Sequence, residues 1–346
     1  MIELLQSYDY KLDESLIATH PASPKDSAKL MIYDRDKDTI THTTFSEILN
    51  FIPEGTKVFL NDTKVIKARL YGKKQSGGKV EVLLNSLSNT LRFSVYIKGR
   101  VKVGTKIFFD ENLECEVLEL REDGQRIVEF VKETKKLDFY ELNQILERIA
   151  HIPLPPYIKR ADETQDEEDY QTLFAKNIGA VAAPTASLHF TDELLEKFVK
   201  KYDTNYLTLH VGAGTFKSVD KDNIKDYQIH KEIFDVPKKS QKIIDSDAKI
   251  LAIGTTVART IEYYHKTGIS KGEADIFLHP MNLPKRVDFL ITNFHLPRTT
   301  LLMLVASFLT PSVGSKEGLD KALELYNIAT DKKYKFFSYG DAMMIL

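Results

Sequence analysis

Two histidines in this chain lie where predicted β-strands end. His210 falls near the end of the alternating apolar and polar segment 206–211, and His295 follows the apolar segment 289–292. Histidine changes its protonation state near neutral pH, so two histidines brought together can move protons during a reaction. A single histidine at a strand end is more often a hydrogen-bonded core residue. The catalytic interpretation of His210 and His295 therefore depends on their sharing one site.

Polar loops follow three of the predicted strands, and two of these loops contain glycine. Residues 210–215 read HVGAGT, residues 254–256 read GTT, and residues 293–295 read NFH. Glycine lets the backbone turn sharply or approach a ligand closely. Because the carboxyl ends of parallel strands share one edge of a sheet, we expect the three loops to converge on one crevice.

The GTT loop opens a predicted helix that carries Arg259 one turn further along. Thr255 and Thr256 would then offer hydroxyl and backbone N–H groups to an anionic or polar ligand. Helix capping alone also explains two threonines at this position. Segment 182–190 is a loop of small residues that suits close approach to a flat base. The sequence contains no G-x-G-x-x-G, P-loop, H-E-x-x-H or G-x-S-x-G motif, so no standard nucleotide or hydrolase site is predicted.

The chain changes character along its length. Residues 57–130 consist of short β-rich segments between turn signals, a pattern typical of a small antiparallel barrel or sandwich. From about Tyr170, apolar strands alternate with helical segments. We therefore predict an α/β fold, with a mainly parallel sheet and flanking helices, interrupted by an inserted small β-domain. The predicted bounds are 1–60 and 151–346 for a discontinuous catalytic domain, and 61–150 for the insert.

Charge is distributed unevenly between these parts. Residues 57–110 contain twelve Lys or Arg against three acidic residues, whereas the whole chain has a formal net charge of −2. A local basic surface is the electrostatic footprint of a phosphate-backbone binder. A solvated strand surface with lysines at its edges explains the same charge, and no RNP-type aromatic motif decides between the two. The acidic run 162–169 is typical of a mobile loop at a domain boundary.

Composition excludes several other classes of protein. The chain has 346 residues, 42% hydrophobic and 28% charged, which suits a globular protein with a sizeable core. Its single cysteine, Cys115, forms neither an internal disulfide nor a cysteine-based zinc site. The first residues lack the features of a signal peptide, and the apolar segment 300–309 is too short to span a bilayer. We expect a cytoplasmic protein with no metal and no membrane partner.

Motifs spread over nearly the whole chain resemble one enzyme family. They are residues 8–10 (YDY), 16–18 (LIA), 68–70 (ARL), 77–82 (GGKVEV), 151–157 (HIPLPPY), 170–172 (YQT), 179–185 (GAVAAPT), 188–190 (LHF), 209–216 (LHVGAGTF), 254–256 (GTT) with Arg259, 292–297 (TNFHLP) and 336–343 (FFSYGDAM). In this order they resemble the S-adenosylmethionine:tRNA ribosyltransferase-isomerases of queuosine biosynthesis. The resemblance implies an α/β domain interrupted by a β-barrel, in agreement with the change of composition near Lys57.

The resemblance also implies a reaction. The ribosyl part of S-adenosylmethionine is transferred to 7-aminomethyl-7-deazaguanine at the tRNA wobble position and isomerised, which gives epoxyqueuosine-tRNA, adenine and methionine. The sulfonium charge would acidify the adjacent C5′ hydrogens, so the site needs a base, an acid that helps adenine to leave, and a place for the amine nucleophile. S-adenosylmethionine and tRNA are then the partners. No cofactor is expected, because S-adenosylmethionine is consumed as a substrate, and we expect a monomer.

Individual residues take roles from these sequence features together with the resemblance. His210 and His295 are the predicted catalytic residues. The predicted substrate-binding residues are Gly212, Gly214, Thr215, Thr255, Thr256, Arg259, Asn293, Pro184, Thr185 and His189. Gly212 and Gly214 are expected to pack closely against S-adenosylmethionine. The predicted tRNA-binding residues are Lys64, Lys67, Arg69, Lys98 and Arg100.

The sequence departs from the family pattern at a few positions. Lys29 replaces the usual Arg, residues 61–64 read NDTK (with Asp62 and Lys64) where the family more often has two asparagines and an arginine, and residues 279–282 read HPMN (with Met281-Asn282) in place of Tyr-Pro-Gly. A lysine lacks the bidentate geometry of arginine, so such a contact is not expected at Lys29. Together the departures could alter substrate contacts but not the reaction.

Two alternative functions follow from the same features. An S-adenosylmethionine-dependent RNA methyltransferase would need a Gly-rich loop after its first strand, and the early region has none. A non-catalytic RNA-binding module would use the basic insert but would leave the three polar strand ends unexplained.

Overall fold

The computed structural model of the protein describes residues 2–85, 90–216 and 219–346. Its strands are β1 (Lys29–Asp34), β2 (Thr39–Thr44), β3 (Lys57–Asn61), β4 (Thr63–Val65), β5 (Arg69–Lys74), β6 (Lys79–Leu84), β7 (Phe93–Lys98), β8 (Lys106–Phe108), β9 (Leu113–Leu120), β10 (Arg126–Lys132), β11 (Lys135–Lys136), β12 (Asn177–Ala180), β13 (Thr204–Leu209), β14 (Glu232–Asp235), β15 (Ile250–Ile253), β16 (Lys271–Ala274), β17 (Phe289–Asn293) and β18 (Ala342–Ile345). Its α-helices are α1 (Phe139–Ile149), α2 (Asp166–Asp169), α3 (Asp192–Lys201), α4 (Lys238–Ile244), α5 (Thr255–Thr267), α6 (Thr300–Leu309) and α7 (Glu317–Asp331).

A nine-stranded sheet runs through the larger part of the described chain, in the order β16-β14-β13-β3-β15-β17-β18-β1-β2. The strands β13, β3, β15 and β17 at its centre are mutually parallel, and β18 is parallel to β1. The other neighbours, β16-β14, β14-β13, β17-β18 and β1-β2, are antiparallel. The sheet is therefore mixed, and the prediction of a mainly parallel sheet is correct only for its centre.

Connection type and strand length explain this difference. β1 and β2 are joined by a short turn, and the described residues between β13 and β14 form only short 3-10 turns, so neither pair has the helical crossover typical of parallel strands. β14 and β16 have only four residues each, which is too short for apolar alternation to mark them in the sequence.

Helices cover both faces of the nine-stranded sheet. Side chains alternate along each strand, so Val58 and Leu60 of β3 face one side and Phe59 faces the other. The first side packs against Phe198 of α3 and the turn at residues 45–50. The second side packs against α5, α6 and α7. The predicted flanking helices are therefore confirmed. Among the described residues, no helix combines the length and the apolar character needed to cross a membrane.

The strands β5 to β10 form a closed antiparallel barrel, because β9 pairs with β8 on one side and with β10 on the other. The order around the barrel is β5-β6-β7-β10-β9-β8. Alternate side chains point inward and form one buried cluster, which includes Leu70, Val82, Phe93, Cys115 and Phe130. The buried face of α1 packs against the same cluster. The β-rich segment is thus a barrel and not a sandwich.

The acidic run 162–169 is not a loop throughout, contrary to our prediction. Residues 166–169 form α2, and Asp166 is only 2% exposed. Its carboxylate accepts hydrogen bonds from the Arg160 guanidinium at 2.6 and 2.7 Å and from the Tyr339 hydroxyl at 2.9 Å. Burial disfavours the charged form of Asp166, but these hydrogen bonds outweigh burial and lower its pKa.

Replacing Asp166 by Asn is expected to lower the free energy of unfolding by about 2 kcal/mol, because the Arg160 guanidinium then loses its charged acceptor. Since the folded-state pKa of Asp166 is lowered, the ion pair contributes above the carboxyl's unfolded-state pKa and is lost as the pH falls. Urea unfolding at pH 7 and at pH 3 measures both effects. Glu168→Gln, a change at an exposed position of the same helix, is the control. Equal stability of the Asp166→Asn variant and the unaltered protein at pH 7 would contradict the prediction.

Candidate active site

The carboxyl ends of β13, β3, β15 and β17 meet at one edge of the nine-stranded sheet. A cavity of about 380 Å³ lies at this edge, and residues that follow β13, β15 and β17 line it. The predicted convergence of the three loops is therefore confirmed. Eight of the predicted site residues line the cavity: Pro184, Thr185, Thr215, Thr255, Thr256, Arg259, Asn293 and His295. Their individual roles stay predictions.

Gly254 joins β15 directly to α5. Its φ of 105° lies in a region that favours glycine, and its N–H donates to the Ile291 carbonyl at 2.7 Å. This turn brings the first residues of α5, Thr255 and Thr256, into the cavity wall. Because the residue that precedes the helix is a glycine, no side chain caps this end of α5.

Asn61, at the end of β3, forms hydrogen bonds to the end of β13 and to the start of α5. Its side chain donates to the Leu209 carbonyl at 2.9 Å and to Thr256 Oγ1 at 3.3 Å. Its Oδ1 accepts from the Leu209 N–H at 3.0 Å. Asn61 is fully buried, so these hydrogen bonds fix the end of β13 relative to the start of α5. Sequence reasoning noted this asparagine only as part of a family motif.

A buried ion pair forms part of the cavity wall. Arg259 Nη1 donates to Glu232 Oε2 at 2.6 Å, and the two residues are 5% and 3% exposed. His230 Nε2 lies 3.4 Å from Glu232 Oε1, and the Gly212 N–H donates to the same oxygen at 3.4 Å. Burial disfavours the ionised form of Glu232, but the interactions with Arg259 and His230 outweigh it and lower its pKa to about 2. Glu232 is therefore ionised at neutral pH.

Sequence reasoning identified Arg259 but missed Glu232. The glutamate lies in the four-residue strand β14, in a segment whose pattern predicts no element and which carries no motif. Only the pairing of β14 with β13 brings Glu232 beside the cavity. No local signal in the sequence could have indicated this contact.

His295 lines the cavity just beyond the end of β17. Its Nε2 lies 2.8 Å from Thr292 Oγ1, its backbone N–H donates to the Tyr326 hydroxyl at 3.2 Å, and its carbonyl accepts from the Tyr10 hydroxyl. Burial lowers the pKa of His295 to about 3. The imidazole is therefore neutral near pH 7, so it can accept a proton but does not begin as an imidazolium acid.

His210 does not line this cavity. Its Nδ1 lies 2.8 Å from Thr63 Oγ1, and its backbone N–H donates to the Ile233 carbonyl at 2.8 Å. Burial lowers the pKa of His210, and the charges of Asp62 and Asp235 oppose that shift. The structure therefore does not join the two predicted catalytic histidines in one cavity wall.

Gly212 and Gly214 also lie outside the cavity wall. A Cβ at Gly212 would come within 2.9 Å of the Asn85 carbonyl oxygen, and a Cβ at Gly214 within 3.0 Å of the His230 ring. Both glycines thus allow the loop after β13 to pack closely against other parts of the protein. This is a structural reason for them that requires no ligand.

His189 lies behind the wall and orients Asn293. Its Nε2 is 3.2 Å from Asn293 Nδ2, and the Thr185 hydroxyl donates to Asn293 Oδ1 at 2.9 Å. Burial lowers the pKa of His189 to about 4, so a neutral ring accepts from the amide. The two contacts set which way the Asn293 amide faces.

Two stacked aromatic rings complete the cavity wall. The centroids of Tyr157 and Phe337 are 4.1 Å apart with an interplanar angle of 27°, and the Tyr157 hydroxyl lies 2.6 Å from Ser338 Oγ. Phe337 has a φ of 72°, an uncommon backbone conformation for a residue with a large side chain. Both rings lie in motifs that carry the family resemblance, and this position in the motifs could have identified them as site residues. The sequence analysis did not include either of them among the predicted site residues.

The positions that depart from the family pattern lie away from the cavity. Lys29 donates to the carbonyls of Lys332 and Lys333 at 2.9 and 3.1 Å. Asp62 accepts from the Thr208 hydroxyl at 2.6 Å. None of the residues Lys29, Asp62, Lys64, Met281 and Asn282 lines the cavity.

The predicted tRNA-binding residues fall into two groups. Lys67 pairs with Glu167 at 2.6 Å, and Arg69 pairs with Glu81 at 3.2 Å. The other three, Lys64, Lys98 and Arg100, are exposed. Basic side chains from several strands and turns line a cleft on the barrel: Lys74, Arg100, Lys102 and Lys106.

The chemistry of the main cavity comes from one ion pair, several hydroxyls, an amide and a neutral imidazole. Within the described ranges, no group of three or more His, Cys, Asp or Glu side chains is placed to hold a metal ion. The stacked rings and the small residues Ala182, Ala183 and Ala186 offer flat apolar surface. A mostly apolar wall with a few polar groups is typical of small-molecule cavities.

Fold and cavity together define a mixed α/β protein that has a closed barrel and a small-molecule site at the ends of its central strands. The family model described as "Queuosine biosynthesis protein" matches residues 5–345. The chain belongs to this family.

Named relatives cover almost the whole chain. The chain is 56% identical to the S-adenosylmethionine:tRNA ribosyltransferase-isomerase of Aliarcobacter butzleri (strain RM4018), over 98% of each sequence. It is 54% identical to the protein of that name from Campylobacter fetus subsp. fetus (strain 82-40), over 99% of this chain and 98% of the relative. The crystal structure of S-adenosylmethionine tRNA ribosyltransferase from Thermotoga maritima is similar, with a TM-score of 0.52 and 32% identity, over 98% of this chain and 100% of that one.

Proposed function

We propose that the protein is an S-adenosylmethionine:tRNA ribosyltransferase-isomerase of queuosine biosynthesis. The observation that carries the proposal is identity above 50% to relatives of that name over nearly the full length of both sequences. The proposed substrates are S-adenosylmethionine and a tRNA with 7-aminomethyl-7-deazaguanine at the wobble position. The proposed products are epoxyqueuosine-tRNA, adenine and methionine. We also propose that the protein works in the cytoplasm.

The main cavity supports this function. Its volume of about 380 Å³ falls in the range of small-molecule sites. The Tyr157 and Phe337 rings offer a surface on which a base can stack. We assign proton transfer to His295, because its ring lies in the cavity wall and a neutral imidazole has a nitrogen that can accept a proton from the carbon next to the sulfonium. Burial makes this imidazole a weak base, so the transfer depends on the sulfonium charge to acidify that carbon. S-adenosylmethionine is consumed in this scheme, so we propose no separate cofactor.

Product analysis tests the proposal directly. Purified protein is incubated with S-adenosylmethionine and a tRNA that carries 7-aminomethyl-7-deazaguanine, and the expected result is free adenine and methionine with a matching gain in tRNA mass. The same tRNA with guanine at the wobble position is the control and should give no products. Release of S-adenosylhomocysteine would show a methyltransferase instead. Binding of tRNA without turnover would favour a non-catalytic RNA-binding module.

We also propose that the barrel is an inserted domain, residues 61–150, that contacts tRNA phosphates. The exposed residues Lys98 and Arg100 and the adjoining basic cleft support this assignment. Lys67 and Arg69 already have carboxylate partners, so they are less suited to phosphate contacts.

The double variant Lys98→Ala/Arg100→Ala is expected to bind tRNA more weakly and with a smaller salt dependence. Each lost phosphate contact lowers the slope of log K against log salt concentration by about 1. Filter binding between 50 and 200 mM salt measures this slope. Lys197→Ala, at an exposed position on α3, is the matched control. If the slope of log K against log salt concentration is unchanged in the double variant, tRNA phosphates do not contact Lys98 and Arg100.

A further inference from the structure

We propose that the carboxylate of the methionine part of S-adenosylmethionine binds in the main cavity between the Arg259 guanidinium and the N-terminal end of α5. This inference rests on the proposed function and specifies how its substrate is held. It assigns the anionic end of the substrate to one corner of the cavity. The stacked rings of Tyr157 and Phe337 are then free for a base.

The first observation is an unsatisfied donor on Arg259. Its Nη1 donates to Glu232 at 2.6 Å and its Nε to the Ile276 carbonyl at 3.3 Å, but Nη2 has no hydrogen-bond partner among the described residues. Arg259 is only 5% exposed and lines the cavity. A buried charged donor without an acceptor is unfavourable, so an acceptor that enters the cavity beside Nη2 is bound strongly.

The second observation is independent and concerns α5. The helix has thirteen residues, and Gly254 before it supplies no capping side chain. The N-terminal end of a helix carries a partial positive charge and free N–H donors, which together attract anions. Both Thr255 and Thr256 line the cavity at this end.

Helix geometry joins these two features. Arg259 follows Thr255 by four residues and Thr256 by three, so the three side chains share one face of α5. Arg259 and the first two residues of α5 all line the cavity. An acceptor held there can bond to Nη2 and to the backbone at the start of the helix.

The paired charges in this corner of the cavity favour a zwitterion as the ligand. Glu232 is ionised and neutralises Arg259, so the pair by itself has no net charge. The α-ammonium group next to the substrate carboxylate can lie near the Glu232 side of the pair, which matches a zwitterion. A tRNA phosphate offers the same oxygen chemistry, but Arg259 lies deep in a cavity of small-molecule size and not on an open basic surface.

The test compares S-adenosylmethionine with its decarboxylated analogue, in which a hydrogen replaces the carboxylate. For the unaltered protein, calorimetry is expected to show about 10- to 100-fold weaker binding of the analogue, as for loss of charged hydrogen bonds. Arg259→Lys keeps a positive charge beside Glu232 but removes the second donor. This variant is expected to bind S-adenosylmethionine about tenfold more weakly and the analogue almost unchanged, so the preference shrinks.

Arg286→Lys is the matched control. The Arg286 guanidinium donates to the carbonyls of Ile244 and Ala248, away from the cavity, so its replacement should leave the preference unchanged. Circular dichroism checks the fold of both variants. If Arg259→Lys does not fold, the comparison in the unaltered protein still decides, because equal binding of the two compounds would overturn the inference.

Two further outcomes separate the alternatives. If Arg259→Lys weakens tRNA binding and leaves the preference for S-adenosylmethionine over the analogue intact, the acceptor is an RNA phosphate and the inference is wrong. If the protein releases adenine from S-adenosylmethionine but shows no preference, the inference fails while the proposed function stands. If it neither binds nor uses S-adenosylmethionine, the proposed function itself fails.

Discussion

Replacing His295 by Asn is expected to lower the kcat for adenine release about 100-fold or more, the usual effect of removing a group that transfers protons. His295 is the histidine that lines the cavity, and asparagine keeps a polar side chain near Thr292. Because burial lowers the pKa of His295 to about 3, the ring stays neutral from pH 5 to pH 9. Accordingly, the unaltered protein should show no loss of kcat near pH 6.5 that arises from this residue.

His210→Asn is the matched comparison. His210 contacts Thr63 outside the cavity wall, so this variant is expected to keep most of the activity. Rapid-quench measurements of adenine release with saturating tRNA give kcat for both variants. Near-normal turnover of a folded His295→Asn protein would remove His295 from the mechanism. A large loss in His210→Asn alone would restore the sequence-based prediction for that residue.

Replacing Glu232 by Gln is expected to lower the free energy of unfolding by about 3 kcal/mol. The change leaves the Arg259 guanidinium, which is only 5% exposed, without a carboxylate partner. Removing one member of a buried ion pair is costly because the other charge stays buried. Urea unfolding measures the loss. A change below about 1 kcal/mol would show that Arg259 finds another partner or that the pair is more hydrated than its burial indicates.

The pH dependence of stability provides a second readout for Glu232. Its folded-state pKa of about 2 lies below the usual value for glutamate, so its ionised form stabilises the fold above about pH 4. This contribution is lost as the pH falls from about 4 through 2. The Gln variant should therefore show a shallower fall in stability over this range. Glu193→Gln, at an exposed position on α3, is the control and should leave the unfolding midpoint unchanged.

Much of the fold could be predicted because its signals are local. Alternation along 206–211 indicated a strand, and Gly254 after an apolar segment indicated a sharp turn into a helix. The strands of the barrel were predictable for the same reason, since they are short alternating segments between turn signals, but this pattern did not decide between a barrel and a sandwich. Asp166 shows where local reasoning failed. Its acidic run predicted a loop, but the side chains of the nearby Arg160 and the distant Tyr339 satisfy its charge.

The sequence predicted those residues of the candidate site that lie at the ends of the central strands. Thr255, Thr256, Arg259, Asn293 and His295 were placed in one crevice by the rule for parallel strands, and the structure places them there. The same rule included His210, because a residue at a strand end has no local mark that tells whether its side chain reaches the cavity or a neighbour such as Thr63.

The sequence by itself determined the family, the longer strands and helices along the chain, and the residues that stand at the ends of the central strands. Local periodicity and short motifs specify these features. Only the tertiary structure decided which side chains share the cavity, because those contacts join segments far apart in the chain. Glu232 reaches Arg259 because β14 pairs with β13, and Phe337 stacks on Tyr157 across about half of the chain's length. Such contacts depend on how elements pair and pack, which no local pattern contains.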